Sequence, residues 1–335
     1  MIRAALLALL LAQDRADIRS NVVNVQVPVT VLDKKGNFIT GLTEDDFRLF
    51  DGDAPQSIKV DEAAHPVSLV VAVQSNSNTR DLFATLRKAS TLLVPLIAGD
   101  SGEIAVVTFD QEVQILAPFT SNPAEIQTAF SRIKAGGGPH HLDDAALQSV
   151  KLLHSRGIGR KKVLLIIGEG FDQGSAVTPA DVFSQAELDG VLIYTIKMKS
   201  ATPETPQKAK NPVPPEARGP GPMGTTQTMT TDVQRGGYGP SLNEIYTYFR
   251  GLKASNNLSA YSQFTGARAQ DFKNQKSLET AIENIGKEVH SQYLLTFAPQ
   301  NREPGYHELT VHLPTPNLQV RARRGYWLAA QAEVR

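Results

Sequence analysis

The segment Ser68-Leu69-Val70-Val71-Ala72-Val73 decides the fold of this chain. Its five apolar residues are consecutive, so a strand formed here would be apolar on both of its alternating faces. Such strands are typical of the centre of a parallel sheet that helices cover on both sides. Similar buried strands are predicted at Lys162–Ile167 and Val191–Ile196.

Segments with a helical spacing of apolar residues separate these strands. They lie at Thr79–Ile97, Pro123–Ile133, Leu142–His154 and from Thr178 onward. Glu103–Phe109 and Val113–Phe119 flank the turn Asp110-Gln111, which predicts a hairpin. Together the segments predict an α/β fold over residues 66–299. This fold is a doubly wound, mostly parallel sheet with one antiparallel edge strand.

Both ends of the chain show the alternation of β-strands. Within residues 22–62, valine occupies every second position of one segment, at Val23, Val25, Val27, Val29 and Val31. Further strands are predicted from Phe38, at Phe47–Phe50 and at Ser57–Val60. In residues 306–328, Glu308–Leu313 and Gln319–Arg323 are predicted to form an antiparallel pair. Neither flank is large enough to be stable alone, so we predict that they pack into one small β module.

The composition excludes several classes of protein. Lysine plus arginine equal aspartate plus glutamate, 34 against 34, so the net charge favours neither nucleic acid nor an anionic membrane as a partner. The chain has no cysteine, which excludes disulfides, thiolate metal sites and a cysteine nucleophile. Residues 200–240 contain eight of the 20 prolines and six glycines, which predicts a disordered proline-rich loop.

The N-terminus has the pattern of an export signal. Arg3 precedes the apolar run Ala4–Ala12, and the chain becomes polar at Gln13-Asp14. Such a run is too short to cross a bilayer, which takes roughly 20 residues. The pattern predicts a signal peptide over residues 1–12 and a secreted or periplasmic protein without a membrane span.

Several motifs together resemble the von Willebrand factor A family. They are the strand Leu69–Val73, the hairpin Ile104–Phe119, the glycine turn before Leu142-Asp143-Asp144-Ala145, and Val163–Ile167 followed by Gly168-Glu169-Gly170. The flanking segments 29–36, 41–47 and 291–295 look like those of secreted von Willebrand factor A-related proteins of acidobacteria. The resemblance covers roughly residues 22–327 and implies a domain that binds other proteins.

The resemblance also implies a metal-ion-dependent adhesion site, from which this sequence departs. The family's pattern is Asp-x-Ser-x-Ser after the first strand, Thr in the glycine-flanked loop and Asp after the fourth strand. The matching residues here are Gln74, Asn76, Asn78, His140 and Glu169. Mg²⁺ prefers about six oxygen ligands, some of them carboxylates, so a single glutamate predicts a degenerate site that holds no metal. We expect these five residues to form a polar rim that hydrogen-bonds an unknown protein ligand.

Other functions remain open from the sequence. One is a metal-dependent adhesion protein that binds Mg²⁺ or Ca²⁺ at an atypical site. Another is an exported metallohydrolase in which His140, His141 and Glu169 bind zinc, although a nucleophile and a convincing third ligand are missing. A third is a purely structural envelope protein.

Asp143 and Asp144 are assigned to the first turn of a helix, where carboxylates stabilise the helix dipole. We therefore predict a binding protein that is not an enzyme and needs no cofactor.

Overall fold

The computed structural model describes residues 24–61, 65–157, 159–198 and 257–328. The strands are β1 (Val25–Leu32), β2 (Arg48–Asp51), β3 (Ala54–Gln56), β4 (Ile58–Asp61), β5 (Val67–Gln74), β6 (Glu103–Phe109), β7 (Val113–Thr120), β8 (Lys161–Gly168), β9 (Val191–Met198), β10 (Ala269–Phe272), β11 (Tyr293–Phe297), β12 (Gly305–His312), β13 (Gln319–Ala322) and β14 (Gly325–Leu328). The α-helices are α1 (Phe83–Ala89), α2 (Pro123–Ser131), α3 (Leu142–His154), α4 (Pro179–Asp189), α5 (Asn257–Thr265) and α6 (Gln275–Ser291). The predicted signal peptide and the proline-rich loop, residues 1–12 and 200–240, lie outside the described residues.

A six-stranded sheet forms the centre of the molecule. Its strand order is β10-β9-β8-β5-β6-β7, and all neighbours pair in parallel except β6 and the edge strand β7. The short turn between β6 and β7 can only join antiparallel strands, whereas helices connect the others. The predicted doubly wound sheet with one antiparallel edge strand is confirmed.

Helices cover both faces of this sheet. Along β5, every residue is buried, and alternate residues face two separate cores. Leu69, Val71 and Val73 pack with residues of α1, α2 and α6. Val70 and Ala72 pack with residues of α3, α4 and α5 on the opposite face. The uninterrupted apolar run of β5 is therefore explained by burial on two sides.

The two flanks of the chain form an antiparallel β sandwich. One sheet has the order β13-β1-β11-β4 and the other has the order β14-β12-β2-β3. The two sheets share a core in which the valines of β1 pack with Leu49, Leu295, Leu309 and Tyr326. The predicted β module of N- and C-terminal flanks is confirmed in this form.

Some strands lie elsewhere than expected. The predicted α/β unit over residues 66–299 includes Tyr293–Phe297, but β11 pairs antiparallel with β1 in the sandwich. Its alternating residues Tyr293, Leu295 and Phe297 face the sandwich core, a surface that the central parallel sheet does not provide. The segments 308–313 and 319–323 do not pair with each other; β12 pairs with β14 and β2, whereas β13 pairs with β1. Pro314 and Pro316 lie between them and lack the N–H donors that a tight hairpin uses.

Two predicted elements are also shorter than expected. Phe38 makes a single bridge to Leu32 instead of beginning a strand. The long helix expected at Thr79–Ile97 is divided into a 3₁₀ helix at Ser77–Leu82, α1, a 3₁₀ turn at Ser90–Leu92 and a π-helix at Val94–Ala98. Pro95 explains the last irregularity, because it cannot donate the backbone hydrogen bond of a regular α-helix.

Candidate functional site at the carboxyl edge of the central sheet

The candidate site lies where two central strands end. From β5 the chain passes to β6 and β7 on one side and then returns to β8 on the other side of β5. Open α/β sheets bind ligands at such a reversal, beyond the carboxyl ends of the strands. Gln74 is the last residue of β5, and Glu169 directly follows β8. Because β5 and β8 are paired neighbours, these two side chains meet.

Gln74 and Glu169 are joined by two hydrogen bonds. The Gln74 Nε2 donates to Glu169 Oε2 at 2.6 Å, and the backbone N–H of Glu169 donates to Gln74 Oε1 at 2.8 Å. The amide thus satisfies both a carboxylate oxygen and a backbone donor of the same residue. A hydrogen bond to an ionised group is shorter and stronger than one between neutral groups. An amide therefore holds the carboxylate in place at this position.

Asn76 and His140 form the second half of the cluster. The Asn76 Nδ2 lies 3.3 Å from His140 Nδ1, and the imidazole packs edge-on against the ring of Phe171 at 4.9 Å between centroids. Burial lowers the pKa of His140, although the charge of Glu169 opposes this effect. The ring is therefore neutral at pH 7. With Asn76 donating to Nδ1, the proton of the neutral ring lies on Nε2.

Four of the five predicted site residues come together, but not as a rim. Gln74, Asn76, His140 and Glu169, here called the buried polar cluster, are between 0% and 4% exposed. Only Asn78 among the five is exposed. The expectation of a solvent-facing rim is wrong for these four residues. Phe171 packs on His140, and the loop after β8 is joined to the loop before α3 by the hydrogen bond from the Gln173 N–H to the His140 oxygen.

The buried polar cluster contains polar atoms without a hydrogen-bond partner among the described residues. They are Asn76 Oδ1, His140 Nε2 and Glu169 Oε1, and each is inaccessible to solvent. Unsatisfied buried atoms of this kind cost roughly 1–3 kcal/mol each, so a cluster of three is unusual.

Two residues outside the predicted site set, Thr79 and Gly136, position this cluster. The Thr79 hydroxyl donates to the backbone oxygens of Gln74 and Asn76 and so fixes the turn after β5. The N–H of Gly136 donates to the Ser75 oxygen at 2.7 Å, which brings the glycine loop against that turn. A side chain at Gly136 would clash with the carboxylate of Asp110. Glycine at this position leaves room for the Asp110 carboxylate, and the run Gly136-Gly137-Gly138 marks the loop in the sequence.

The start of α3 is fastened to the loop after β8. The hydroxyl of Ser175 accepts hydrogen bonds from the N–H groups of Asp143 and Asp144. The Asp144 carboxylate in turn accepts from Ala176 and Val177 at 3.1 Å, and the Tyr261 hydroxyl donates to Asp143 at 2.6 Å. The assignment of this acidic pair to the first helical turn is confirmed. Both carboxylates therefore stabilise the contacts of the start of α3, Asp144 with the loop after β8 and Asp143 with α5.

The residues present do not fit the magnesium ion that the family implies. The only carboxylate of the buried polar cluster is Glu169, and one of its oxygens already accepts from Gln74. The remaining donors are amides and an imidazole, which is a poor ligand for a hard cation. Within the described ranges, histidine, cysteine, aspartate and glutamate do not gather in groups of three or more that could hold a metal. The His141 imidazole lies instead toward Asp144, at 3.8 Å.

In the described parts of the chain, no helix combines the length and the apolar character needed to cross a bilayer.

A search of curated proteins found no match. Among solved structures, a von Willebrand factor type A protein from Catenulispora acidiphila is 8% identical, with a TM-score of 0.45, and the match covers 93% of this chain and 76% of that one. An aerotolerance-related membrane protein from Bacteroides fragilis is 14% identical, with a TM-score of 0.41, over 66% and 99% of the two chains. Proximal thread matrix protein 1 from the mussel byssus, with a zinc-occupied adhesion motif, is 15% identical, with a TM-score of 0.43, over 71% and 48%.

The family assignment depends on the sequence of the central unit. Residues 69–171 match the family model of the von Willebrand factor type A domain. These residues run from β5 to the loop after β8 and include the whole buried polar cluster. The strand order, the antiparallel edge strand and the position of the cluster agree with this assignment. Residues 69–171 of this chain therefore form a domain that matches the von Willebrand factor type A family.

Proposed function

We propose that this protein is an exported binding module of the von Willebrand factor A type that holds a protein partner without a divalent ion and is not an enzyme. The observation that carries the proposal is the pair of hydrogen bonds between Gln74 and Glu169. In the family's adhesion site, the ion keeps an open position for an acidic side chain of the partner. Here the amide of Gln74 occupies one carboxylate oxygen of Glu169, and the buried polar cluster lacks the further carboxylates that would hold a divalent ion for such a side chain.

The contact with a partner is then assigned to exposed residues around the buried polar cluster. Asn78, Gln111 and Gln173 are exposed at this edge of the sheet. Gln111 lies beside Gly138 of the glycine loop, and the backbone N–H of Gln173 donates to the His140 oxygen at 3.0 Å. All three side chains are amides, which both donate and accept hydrogen bonds. They suit recognition of polar, uncharged groups on a protein surface.

The proposed contact surface is tested by comparing two variants, each with three amide side chains replaced by alanine. A partner recovered from envelope extract should bind the unaltered protein equally with and without EDTA. Replacement of Asn78, Gln111 and Gln173 by alanine should weaken that binding at least tenfold, measured by surface plasmon resonance. The control replaces Gln114, Gln127 and Gln300, which are also exposed amides, and should change it less than twofold. Binding that needs a divalent ion would contradict the proposal.

Metal independence is tested on the purified protein. We expect about 1 mM Mg²⁺ or Ca²⁺ to leave the melting temperature unchanged, since the carboxylates that such ions require are missing. A variant with five substitutions, Gln74→Asp, Asn76→Ser, Asn78→Ser, His140→Thr and Glu169→Asp, should show a higher melting temperature when either ion is added. Tight binding of Mg²⁺ by the unaltered protein, measured by calorimetry, would overturn this part of the proposal.

A second candidate is a metal-dependent adhesion protein with an atypical site, and one observation favours it. His140 Nε2 and Glu169 Oε1 are both buried without a partner among the described residues. Rotation of the Asn76 amide by half a turn would let His140 Nδ1 donate, and Nε2 would then offer a lone pair. Imidazole and carboxylate suit zinc better than magnesium. Calorimetry with Zn²⁺ on the unaltered protein and on His140→Gln separates this candidate from the first.

Export is proposed on the sequence of the N-terminus. Arg3 and the apolar run to Ala12 have the form of a secretory signal. N-terminal sequencing of the protein from its native host should show that about the first 12 residues have been removed. Recovery of the intact Met1 terminus from the cytoplasmic fraction would contradict export.

A further inference from the structure

A cavity lined by arginines lies away from the buried polar cluster, between the central unit and the β sandwich. Its volume is about 380 Å³, within the range of roughly 300–1,000 Å³ that is usual for small-molecule sites. One wall is α5 with the start of β10, and the other wall is β13 with the residues after it. Arg268, Arg321 and Arg324 line it together with Ser262 and Gln263. We call it the arginine cavity.

The charges around the arginine cavity do not balance. The described residues that line it include three arginines and no aspartate or glutamate. Glu288 lies behind the wall, is completely buried, and pairs with Arg268 at 3.2 Å and with Arg321 at 2.5 Å. One carboxylate thus faces two guanidinium groups, which are each more than a quarter exposed. Together with Arg324, two positive charges stay uncompensated among the described residues.

Arg324 is placed to approach a ligand. Its side chain is exposed, and its guanidinium lies 5.5 Å from the centre of the Phe264 ring. Stacking on an aromatic ring orients the guanidinium plane without using its N–H donors. Arg268 and Arg321 are held by Glu288, so their directions are also fixed. Guanidinium groups in a fixed arrangement bind tetrahedral oxyanions through paired hydrogen bonds.

We propose that the arginine cavity binds a phosphate or sulfate group, which Arg268, Arg321 and Arg324 hold from three sides. Glu288 keeps the two inner guanidiniums in position and neutralises only one of them. The cavity is larger than a phosphate ion, so it accommodates the small organic group of an ester as well. This site is independent of the carboxyl edge of the central sheet and of the partner proposed there.

The test measures binding of inorganic phosphate and of phenyl phosphate by calorimetry at constant ionic strength. We expect one saturable site on the unaltered protein for at least one of the two probes, and the comparison shows whether the ion or the ester is preferred. Arg324→Gln should weaken this binding about tenfold or more, since it removes one charge-assisted contact. This variant should fold normally, because Arg324 is exposed and pairs with no acidic residue of the described chain.

The matched control is Arg132→Gln. Arg132 is exposed beside α2, near the opposite edge of the sheet, and its replacement changes the net charge equally. We expect this control to change binding less than twofold. A second variant, Arg268→Gln, should weaken binding as Arg324→Gln does, with the fold checked by circular dichroism. Absence of saturable binding of both probes, or an equal effect of Arg324→Gln and Arg132→Gln, would overturn the proposal.

Discussion

Gln74 holds the carboxylate of Glu169 with its side-chain amide. Glutamine and glutamate have the same shape, so a single substitution to glutamate tests the role of this amide. Gln74→Glu would exchange the donating amide for a second carboxylate at a distance of 2.6 Å from the first. Two like charges in a buried site destabilise each other. We expect the free energy of unfolding to fall by roughly 3 kcal/mol at pH 7.

The loss in Gln74→Glu should be smaller at pH 5, because one of two neighbouring carboxyls can then keep a proton and donate it to the other. Urea unfolding at both pH values measures the difference. Gln127→Glu, at an exposed position of α2, is the control and should change stability by less than about 0.5 kcal/mol. An equal loss at pH 7 and pH 5 would show that charge repulsion is not the cause.

At the scale of single residues, the family's pattern was sufficient to find the cluster but not its exposure. Gln74, Asn76, His140 and Glu169 could be located because strand ends and the glycine run have fixed places in that pattern. Their burial could not be predicted, since it depends on contacts between loops, such as the packing of Phe171 on His140. Thr79 was missed for a similar reason: its hydroxyl bonds only to backbone oxygens, which any sequence has.

At the scale of elements, α6 packs closely against the π-helix at Val94–Ala98. A methyl group on Gly286 would overlap the backbone oxygen of Leu96. Alanine is favoured over glycine within a helix by about 1 kcal/mol. Overpacking against a backbone group costs about 1–3 kcal/mol or more and cannot be relieved by a side-chain rotation. We therefore expect Gly286→Ala to be destabilising by about 1–2 kcal/mol, measured by thermal unfolding.

Gly137→Ala is the control for this substitution. A side chain at Gly137 would meet open space, and its backbone does not need a left-handed conformation. The control should therefore change stability by less than about 0.5 kcal/mol. A stabilised Gly286→Ala protein would mean that α6 can move away from the π-helix at little cost.

The strands and helices of the central sheet were predictable because their apolar periods are regular and burial on both faces demands them. The pairing of the flanking strands was less predictable from the sequence. Alternation in β12 and β13 correctly indicated strands with one buried face, but alternation alone cannot say which sheet a strand joins. The apolar period over Thr79–Ile97 predicts one helix and does not register Pro95, and the π-helical turn that accommodates this proline packs against α6.

On the scale of the whole molecule, Glu187 of α4 and Arg323 of the sandwich connect the two units. Burial raises the pKa of the Glu187 carboxyl from 4.5 to about 8, and the charge of Arg323 opposes this rise. Between these two pH values the folded protein holds a proton that the unfolded chain has released. The contribution of this group is therefore present below pH 4.5 and is lost as the pH rises toward 8.

We expect Glu187→Gln to remove this part of the decline in stability between about pH 5 and pH 8. Denaturant unfolding at several pH values gives the slope for both proteins. Glu283→Gln is the control, because Glu283 is exposed and pairs only with Lys287 on the same helix. A slope that is unchanged by Glu187→Gln would show that its carboxyl is ionised in the folded protein at pH 7.

The sandwich predicts a local response to truncation. Residues 29–32 of β1 pair with β13, whereas residues 25–29 pair with β11. Deletion of residues 306–335 should therefore speed amide exchange more at Thr30–Leu32 than at Val25–Val27. Amides of β5 and β8 in the same sample provide the control and should stay protected. Uniform exchange along β1 would mean that the sandwich unfolds as a unit.

The position of β11 also has a consequence for synthesis of the chain. β1 and β4 leave the ribosome early, and β11, which pairs with both of them, follows about 230 residues after β4. At ordinary rates of translation this takes roughly 10–50 s, during which the valines of β1 and both edges of the strand lack cover. Uncovered strand edges pair readily with other chains, so we expect the nascent protein to be prone to aggregation during this interval. Ribosome-bound chains halted before Tyr293 should expose β1 to protease, whereas the released full-length protein should protect it.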